Sequence, residues 1–316
     1  MRRKTKIITE DNVTFKQGFL MFLDNCKAKN LRPATIEHYK QGYKSIVRFF
    51  DEDTLIKDIT QETVDNYVIA CKDNLNLASQ TLHTYVRDFK TILYYFMKLE
   101  YMQPFKIQLP RVDKKAIETY SDKELEILLK KPNTKKCHFA EYRDYVIINF
   151  ILSTAVRINS LINIKEKDVD FENNVVYVNT TKNRKPLIIP LNKTIVKILR
   201  EYIRIREADS EDDYLFCTVY NNKMDRRTVN GSLNIYNRKR NVNKIGVHRL
   251  RHTAAKKWIL AGKSPSILQH LLGHSSLVIT QNYINILVSD LKKEVDNFDI
   301  LEEFNSSNHI KMKSKK

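Results

Sequence analysis

Two stretches of the chain, VHRLRHTAA at 247–255 and LLGHSSLVITQNY at 271–283, gather residue types that hold and transfer charged groups. His248 and Arg251 are three apart, so on a helix they point the same way and can grip one group together. His274 follows Gly273, and Tyr283 stands nine residues beyond that histidine. Upstream, Arg157 lies in the helix-forming apolar segment FILSTAVRINSLINI, and Lys182 in the basic turn TTKNRK. Taken singly, each has a bland reading. Gly273 can cap a helix end, an arginine after an apolar run can form a helix-end salt bridge, and a basic turn is commonly solvated. Lone His and Tyr residues usually pack or sit at a surface. Taken together they are two guanidiniums, an amine, two imidazoles and a phenol. Such a set is suited to an anionic centre, where forked arginine hydrogen bonds hold oxygens in a geometry that lysine cannot copy.

The bulk charge points to the same kind of partner. Lys and Arg number 55 against 37 acidic residues, a net charge of +18. Up to Val112 there are 18 basic and 13 acidic residues, so most of the excess lies beyond that point. A field of this sign attracts polyanions, nucleic acid first among them. A basic protein indifferent to DNA is the alternative on charge alone. The four cysteines, Cys26, Cys71, Cys137 and Cys217, are scattered without a C-x-x-C pair, which argues against a disulfide framework and a zinc site and suits a reducing cytosol. The basic N-terminus has no apolar stretch behind it, and the longest apolar block, YVIINFIL, is far short of the ~20 residues that cross a bilayer. The expectation is a soluble, cytoplasmic protein with no membrane partner.

The elements that must position these residues are mainly helical, in keeping with only 6 Gly and 7 Pro in 316 residues. Phe15, Phe19, Phe22 and Leu23 share one helical face, as do Ile36, Tyr39, Tyr43, Ile46, Val47 and Phe50. The segments 58–72 and 79–99 read as two more helices, giving a four-helix bundle over 1–108. Residues 109–120 read as an interdomain linker, whose basic charge suits either a phosphate backbone or plain solvent. SDKE at 121–124 has the form of a capping box. Beyond it, DVDFENNVVYVNTTKNRKPLIIPL predicts three strands, with a tight turn at Asn173-Asn174 and a basic turn at 181–185. Helices then resume to Lys293, and residues 305–316 form a basic tail. Trp258, the single tryptophan, falls on an apolar rhythm and reads as a core residue.

In this order the residues resemble the tyrosine recombinase (phage integrase) family. HRLRHTAA matches its His-x-x-Arg box, LLGHSS its Leu-Gly-His box, and Tyr283 falls where the nucleophile follows. Arg157 matches the first family arginine, and Lys182, eight residues before Pro190, the hairpin lysine. The box around Arg157 departs from the family's Thr-Gly-Leu-Arg-x-Ser-Glu-Leu. Ala155 replaces a glycine, and Ser160 replaces a glutamate that normally supports the arginine.

The resemblance implies an α+β fold, mainly α with a small sheet. A SAM-like helical core-binding domain would precede a DNA breaking-rejoining catalytic domain over 121–304, the two closing as a clamp on a duplex. It implies transesterification through a 3′-phosphotyrosyl intermediate, with Tyr283 as nucleophile. Arg157, Arg251 and His274 would bind the scissile phosphate, Lys182 would protonate the departing 5′ oxygen, and His248 would help move the tyrosine's proton. No metal, cofactor or ATP is called for, and no Asp/Glu cluster accompanies the motifs. The partners implied are double-stranded DNA, a homotetramer on two sites and accessory DNA-bending proteins. The segment from Ile284 to Phe304 is expected to dock on a neighbouring subunit or to fold back on its own chain. An integrase or transposase of a mobile element fits the altered first box better than a Xer-like resolvase does. A type IB topoisomerase-like nicking enzyme and a DNA-binding protein that has lost catalysis are the rivals.

Overall fold

In a computed structural model, the residues described are 12–112, 118–181 and 185–273. The chain divides into two compact units, Met1–Lys115 and Ala116–Lys316. Among the described residues no helix is long and apolar enough to cross a membrane.

The first unit holds four helices, α1 (Phe15–Ala28), α2 (Pro33–Ile46), α3 (Gln61–Asn74) and α4 (Ser79–Lys98). Thr14 caps α1 reciprocally with Gln17, its Oγ1 accepting from the Gln17 amide at 3.3 Å while Gln17 Oε1 accepts from the Thr14 amide at 3.0 Å. The face carrying Phe15, Phe19, Phe22 and Leu23 is buried, as its period predicts. Phe15 sits at the centre, with the rings of Phe50, Phe89 and Phe96 at 4.9, 5.6 and 5.9 Å. Gly18 makes room for Phe96, since a Cβ there would lie 2.8 Å from the Phe96 ring. The helix expected over 58–72 begins at Gln61 because Thr60 caps it.

The second unit is built around α6 (Phe139–Thr154), which is buried on nearly every side. It is preceded by α5 (Asp122–Leu128) and followed by the single turn α7 (Ile158–Leu161). Then come strands β1 (Val169–Asp170), β2 (Val175–Val178) and β3 (Leu187–Pro190), and helices α8 (Lys193–Arg206), α9 (Arg226–Arg238), α10 (Val247–Leu260) and α11 (Pro265–Leu272). Helices α8, α9 and α10 pack around α6. The expected box at Ser121 forms, with Glu124 Oε2 accepting from the Ser121 amide at 2.7 Å. The sheet is antiparallel in the order β1-β2-β3, with Val176 opposite Ile189 and Val178 opposite Leu187. The connection after β1 spans 171–174 rather than a two-residue turn. Asp170 Oδ1 accepts from the amides of Glu172 and Asn173, and only Asn174 of the pair takes positive φ, at 53°.

Residues 118–120 pack on this unit. Glu118 pairs with Arg249, the Thr119 carbonyl accepts from Lys244 Nζ, and the Tyr120 amide donates to Thr253 Oγ1 at 3.0 Å. Trp258 is half-buried rather than fully in the core. It lies against a small cluster of Ala155, Ala255, Leu268 and Leu272, and its Nε1 donates to the Ser264 carbonyl at 3.1 Å, tying α10 to the start of α11.

Candidate active site

The ends of several elements of the second unit meet at a pocket of about 390 Å³. Its wall includes Arg157, Ser160, Lys185, Arg251, His270 and Gly273. Arg157 and Gly273 are placed by local backbone breaks, and Arg251 and His270 by regular helices.

Arg157 does not lie within a helix, as its apolar surroundings suggested. Helix α6 stops because Ala155 adopts the left-handed conformation, φ 52° and ψ 26°. Arg157 then follows in extended geometry, φ −76° and ψ 147°, as the residue that starts α7. The break turns the guanidinium toward α11, where Nη1 donates to the Gly273 carbonyl at 3.2 Å. Gly273 also has positive φ, 57°, and ends α11 as its residue type predicts. A Cβ at Gly273 would lie 3.3 Å from Arg157 Nη1, so the arginine crosses close over this glycine.

Arg251 arrives from α10 and is only 4 % exposed. It donates through Nη1 to the Ala155 carbonyl and through Nη2 to the Leu272 carbonyl at 2.8 Å. The two guanidiniums therefore bond to consecutive carbonyls, those of Leu272 and Gly273, one from within α10 and one from the junction of α6 and α7. Carbonyl dipoles at a helix end orient cations there. His248, one turn before Arg251, lies on the exposed side of α10. Packing around the ring lowers its pKa below the ordinary imidazole value, and the charges of Arg251, Arg157 and Arg226 lower it further. The same causes hold the neighbouring His252 at about 4, burial first and then His248 and Arg251. The shift favours the neutral form of His248.

Ser160 stands where the resemblance leads one to expect a glutamate. It is buried, and its Oγ donates to the Thr180 carbonyl at 2.7 Å, tying α7 to the chain leaving β2. Thr181 Oγ1 donates to the Lys185 carbonyl at 2.6 Å across the base of the basic turn. Both flanks of that turn are thus fixed.

The structure brings Arg157 and Arg251 together, with His248 within their electrostatic reach. Lys182, His274 and Tyr283 lie outside the described residues. Lys185 and His270 line the pocket without having been singled out from sequence. Lys185 is one of several basic residues in its turn, and His270 sits inside an apolar helical run, so neither carries a distinguishing local signal. Among the described residues no group of His, Cys, Asp and Glu is arranged to hold a metal ion.

Comparison with known proteins follows the same division. Residues 118–289 match the model of the phage integrase family, and residues 14–116 that of the phage integrase SAM-like domain. The tyrosine recombinase XerA of Pyrococcus horikoshii is 25% identical over 310 residues, covering 96% of this chain and 98% of its own. XerA of Thermococcus onnurineus is 30% identical over 233 residues, 72% of this chain and 76% of its own. XerC of Staphylococcus aureus is 27% identical over 285 residues, 86% and 93%. Among solved structures, the Tn1549 transposon integrase in complex with a circular intermediate DNA aligns with a TM-score of 0.72 at 19% identity, covering 89% of this chain and 99% of that one. A lambda integrase tetramer bound to a Holliday junction aligns with a TM-score of 0.67 at 15% identity, covering 87% and 83%. At these identities the structural likeness shows the fold.

Proposed function

This chain belongs to the phage integrase family, the tyrosine recombinases, and from that premise we propose that it cuts and rejoins duplex DNA at specific sites through a 3′-phosphotyrosyl intermediate. Tyr283 is the nucleophile. Its phenol, with an ordinary pKa of ~10, loses its proton to His248 as its oxygen attacks the scissile phosphorus. The bond from phosphorus to the 5′ oxygen breaks, and Lys182 supplies the proton that this oxygen gains. Arg157 and Arg251, assisted by His274, hold the two non-bridging oxygens, where negative charge accumulates. The phosphotyrosyl ester keeps the energy of the broken bond. Attack by a 5′ hydroxyl from another strand therefore reseals the backbone and frees the tyrosine without ATP.

The observation that carries this reading is the convergence of Arg157 and Arg251 on the carbonyls of Leu272 and Gly273, immediately before the His274 segment. The test is incubation with a nicked suicide substrate built from the DNA flanking the gene. A denaturation-resistant protein–DNA adduct that disappears in Tyr283→Phe is expected. Its absence from the wild-type protein would leave a DNA-binding protein without catalysis.

The altered box at 154–161 favours a mobile-element integrase or transposase. The near full-length match to one relative named XerA favours a Xer-like resolvase as the second reading. An attachment site beside the gene would decide for the mobile element. For either role, a tetramer pairing two sites is the working assembly, in line with the lambda integrase tetramer on a Holliday junction. Product formed from a single site would point to a topoisomerase-like nicking enzyme.

A further inference from the structure

Helix α8 carries Lys193, Lys197, Arg200 and Arg204, all exposed. Their spacing of four, three and four residues aligns them in one stripe, about 16 Å long at 1.5 Å per residue. The turn KKPNTKK lies against the C-terminal half of this helix. Lys131 Nζ bonds both carboxylate oxygens of Glu201, at 2.6 and 2.8 Å, and Phe139 stacks on Tyr202 with ring centroids 6.1 Å apart. The turn is ordered by Asn133, whose Oδ1 accepts from the Lys135 amide at 3.0 Å and whose carbonyl accepts from the Lys136 amide at 2.9 Å. Pro132 is buried beneath it, and Lys130, Lys135 and Lys136 face solvent.

Among the described residues, Lys193, Lys197, Arg204, Lys135 and Lys136 make no ion pair; Glu201 is engaged by Lys131. Arg200 lies over the Phe171 ring at 4.5 Å and keeps its charge. Such an arrangement opposes folding. Lys193 occupies the first position of α8, against the positive end of the helix dipole. Like charges four apart, at 193 and 197 and at 200 and 204, repel. An anionic partner removes both penalties. A row of cations this long can neutralise several backbone phosphates of one duplex. The turn stands at the N-terminal end of α6 and the arginine pocket at its C-terminal end. Sixteen helical residues, about 24 Å, separate them.

We propose that α8 and the turn at 130–136 form a second DNA-contacting face, which holds the phosphate backbone of a duplex stretch outside the one seated at the arginine pocket. This rests on the reading that the chain binds DNA. It adds phosphate neutralisation that the catalytic set does not supply.

The test uses the full chain and a 30-base-pair duplex of random sequence, with affinity measured across salt concentration. Two variants are compared with the wild type, K193E/K197E and K135E/K136E. An acidic residue at 193 favours the start of α8 while the charges at 193 and 197 still repel, so the first variant keeps a melting temperature close to that of the wild type. Each variant should lower the slope of log affinity against log salt by about two, at roughly 0.9 for every phosphate that is no longer neutralised. An unchanged slope in K135E/K136E would overturn the proposal, because the only contributing cations would then be those nearest the pocket. Capture of the wild type on phosphatidylserine vesicles with no change of DNA slope in either variant would overturn it in favour of a membrane surface. A wild-type chain that bound no duplex would remove this inference together with the reading beneath it.

Discussion

The second unit contains two arginines equally hidden from water, Arg143 and Arg251, each 4 % exposed, and their hydrogen bonds have opposite characters. Arg143 is held by a carboxylate. Its Nε and Nη2 donate to Asp144 Oδ1 at 3.0 and 2.8 Å, and its remaining bonds run to the Cys217 carbonyl and Ser232 Oγ at 2.9 and 2.6 Å. Ser232 Oγ in turn donates to Asp144 Oδ2, so the cluster is closed on itself. Arg251 donates to the carbonyls of Ala155 and Leu272, which are dipoles. Pairing with a carboxylate cancels charge and makes a structural rivet. Carbonyl dipoles orient a guanidinium beside the pocket. Among the described contacts, equal burial thus goes with a carboxylate partner at Arg143 and with carbonyl partners beside the pocket at Arg251.

The comparison breaks first at Arg143. Arg143→Met leaves the Asp144 carboxylate buried with much of its pairing gone, and should cost about 3–5 kcal/mol in a denaturant titration. Removing both charges in Arg143→Met/Asp144→Leu should recover most of that loss. If the double variant were no better than the single one, the cluster would not be a closed pair. Arg251→Lys tests the other side. Lysine keeps the charge and loses the fork, so stability should fall by about 1–3 kcal/mol for a buried carbonyl left unsatisfied, less than at Arg143, while adduct formation on the suicide substrate slows by about 10²–10³-fold. An equal loss of stability at both positions would erase the distinction.

The same contrast explains what the sequence could reveal. Helical periodicity showed the bundle helices, because Phe15, Phe19, Phe22 and Leu23 share one wet–dry boundary. Asn174 and Ser121 announced a turn and a cap through residue types with few other uses. The break before Arg157 was hidden, since alanine is the best helix former and a left-handed Ala155 bears no local mark. The Arg143–Asp144 pair was hidden too. Neighbours at i and i+1 do not face each other along a helix, and only the approach of Ser232 and Cys217 from distant segments completes the cluster. The pocket wall shows the limit most clearly: Arg157 and Arg251 were found through their motif context, whereas Lys185 and His270 needed coordinates.

Smaller effects sharpen the picture around the pocket. Ser160→Ala removes the bond to the Thr180 carbonyl and should lower stability by about 1 kcal/mol. If the tie also orients the basic turn, adduct formation should fall by more than that stability loss predicts, and Ser160→Thr should restore part of it. Acidification tests the histidines. The folded-state pKa of His252, about 4, lies below its ordinary value of 6.5, so the unfolded chain binds the proton more readily. Stability should therefore decline as pH falls from 6.5 toward 4 and level off below. His252→Gln should flatten that part of the curve, and an unaltered slope would place its origin in other groups.

The smallest expected effect concerns Ala155, and its smallness is informative. A left-handed alanine costs about 1–2 kcal/mol that glycine would avoid. The Ala155 methyl, however, is buried against Ala255, Leu268 and Leu272, the cluster that seats α11 beneath the arginines, and a buried methyl contributes about 0.8 kcal/mol. Glycine also loses more backbone freedom on folding, by about 0.5–1 kcal/mol. The two sides nearly cancel, so Ala155→Gly should shift stability by no more than about 0.5 kcal/mol in a denaturant titration. A gain well above that would mean that the methyl does no packing. Ala155→Val separates strain from packing: it adds apolar volume but puts a β-branched residue in the left-handed region, and should destabilise by more than about 1–2 kcal/mol. Stability unchanged in the valine variant would show that α6 ends for some reason other than the backbone at Ala155, and the account of how Arg157 is turned toward Gly273 would fall with it.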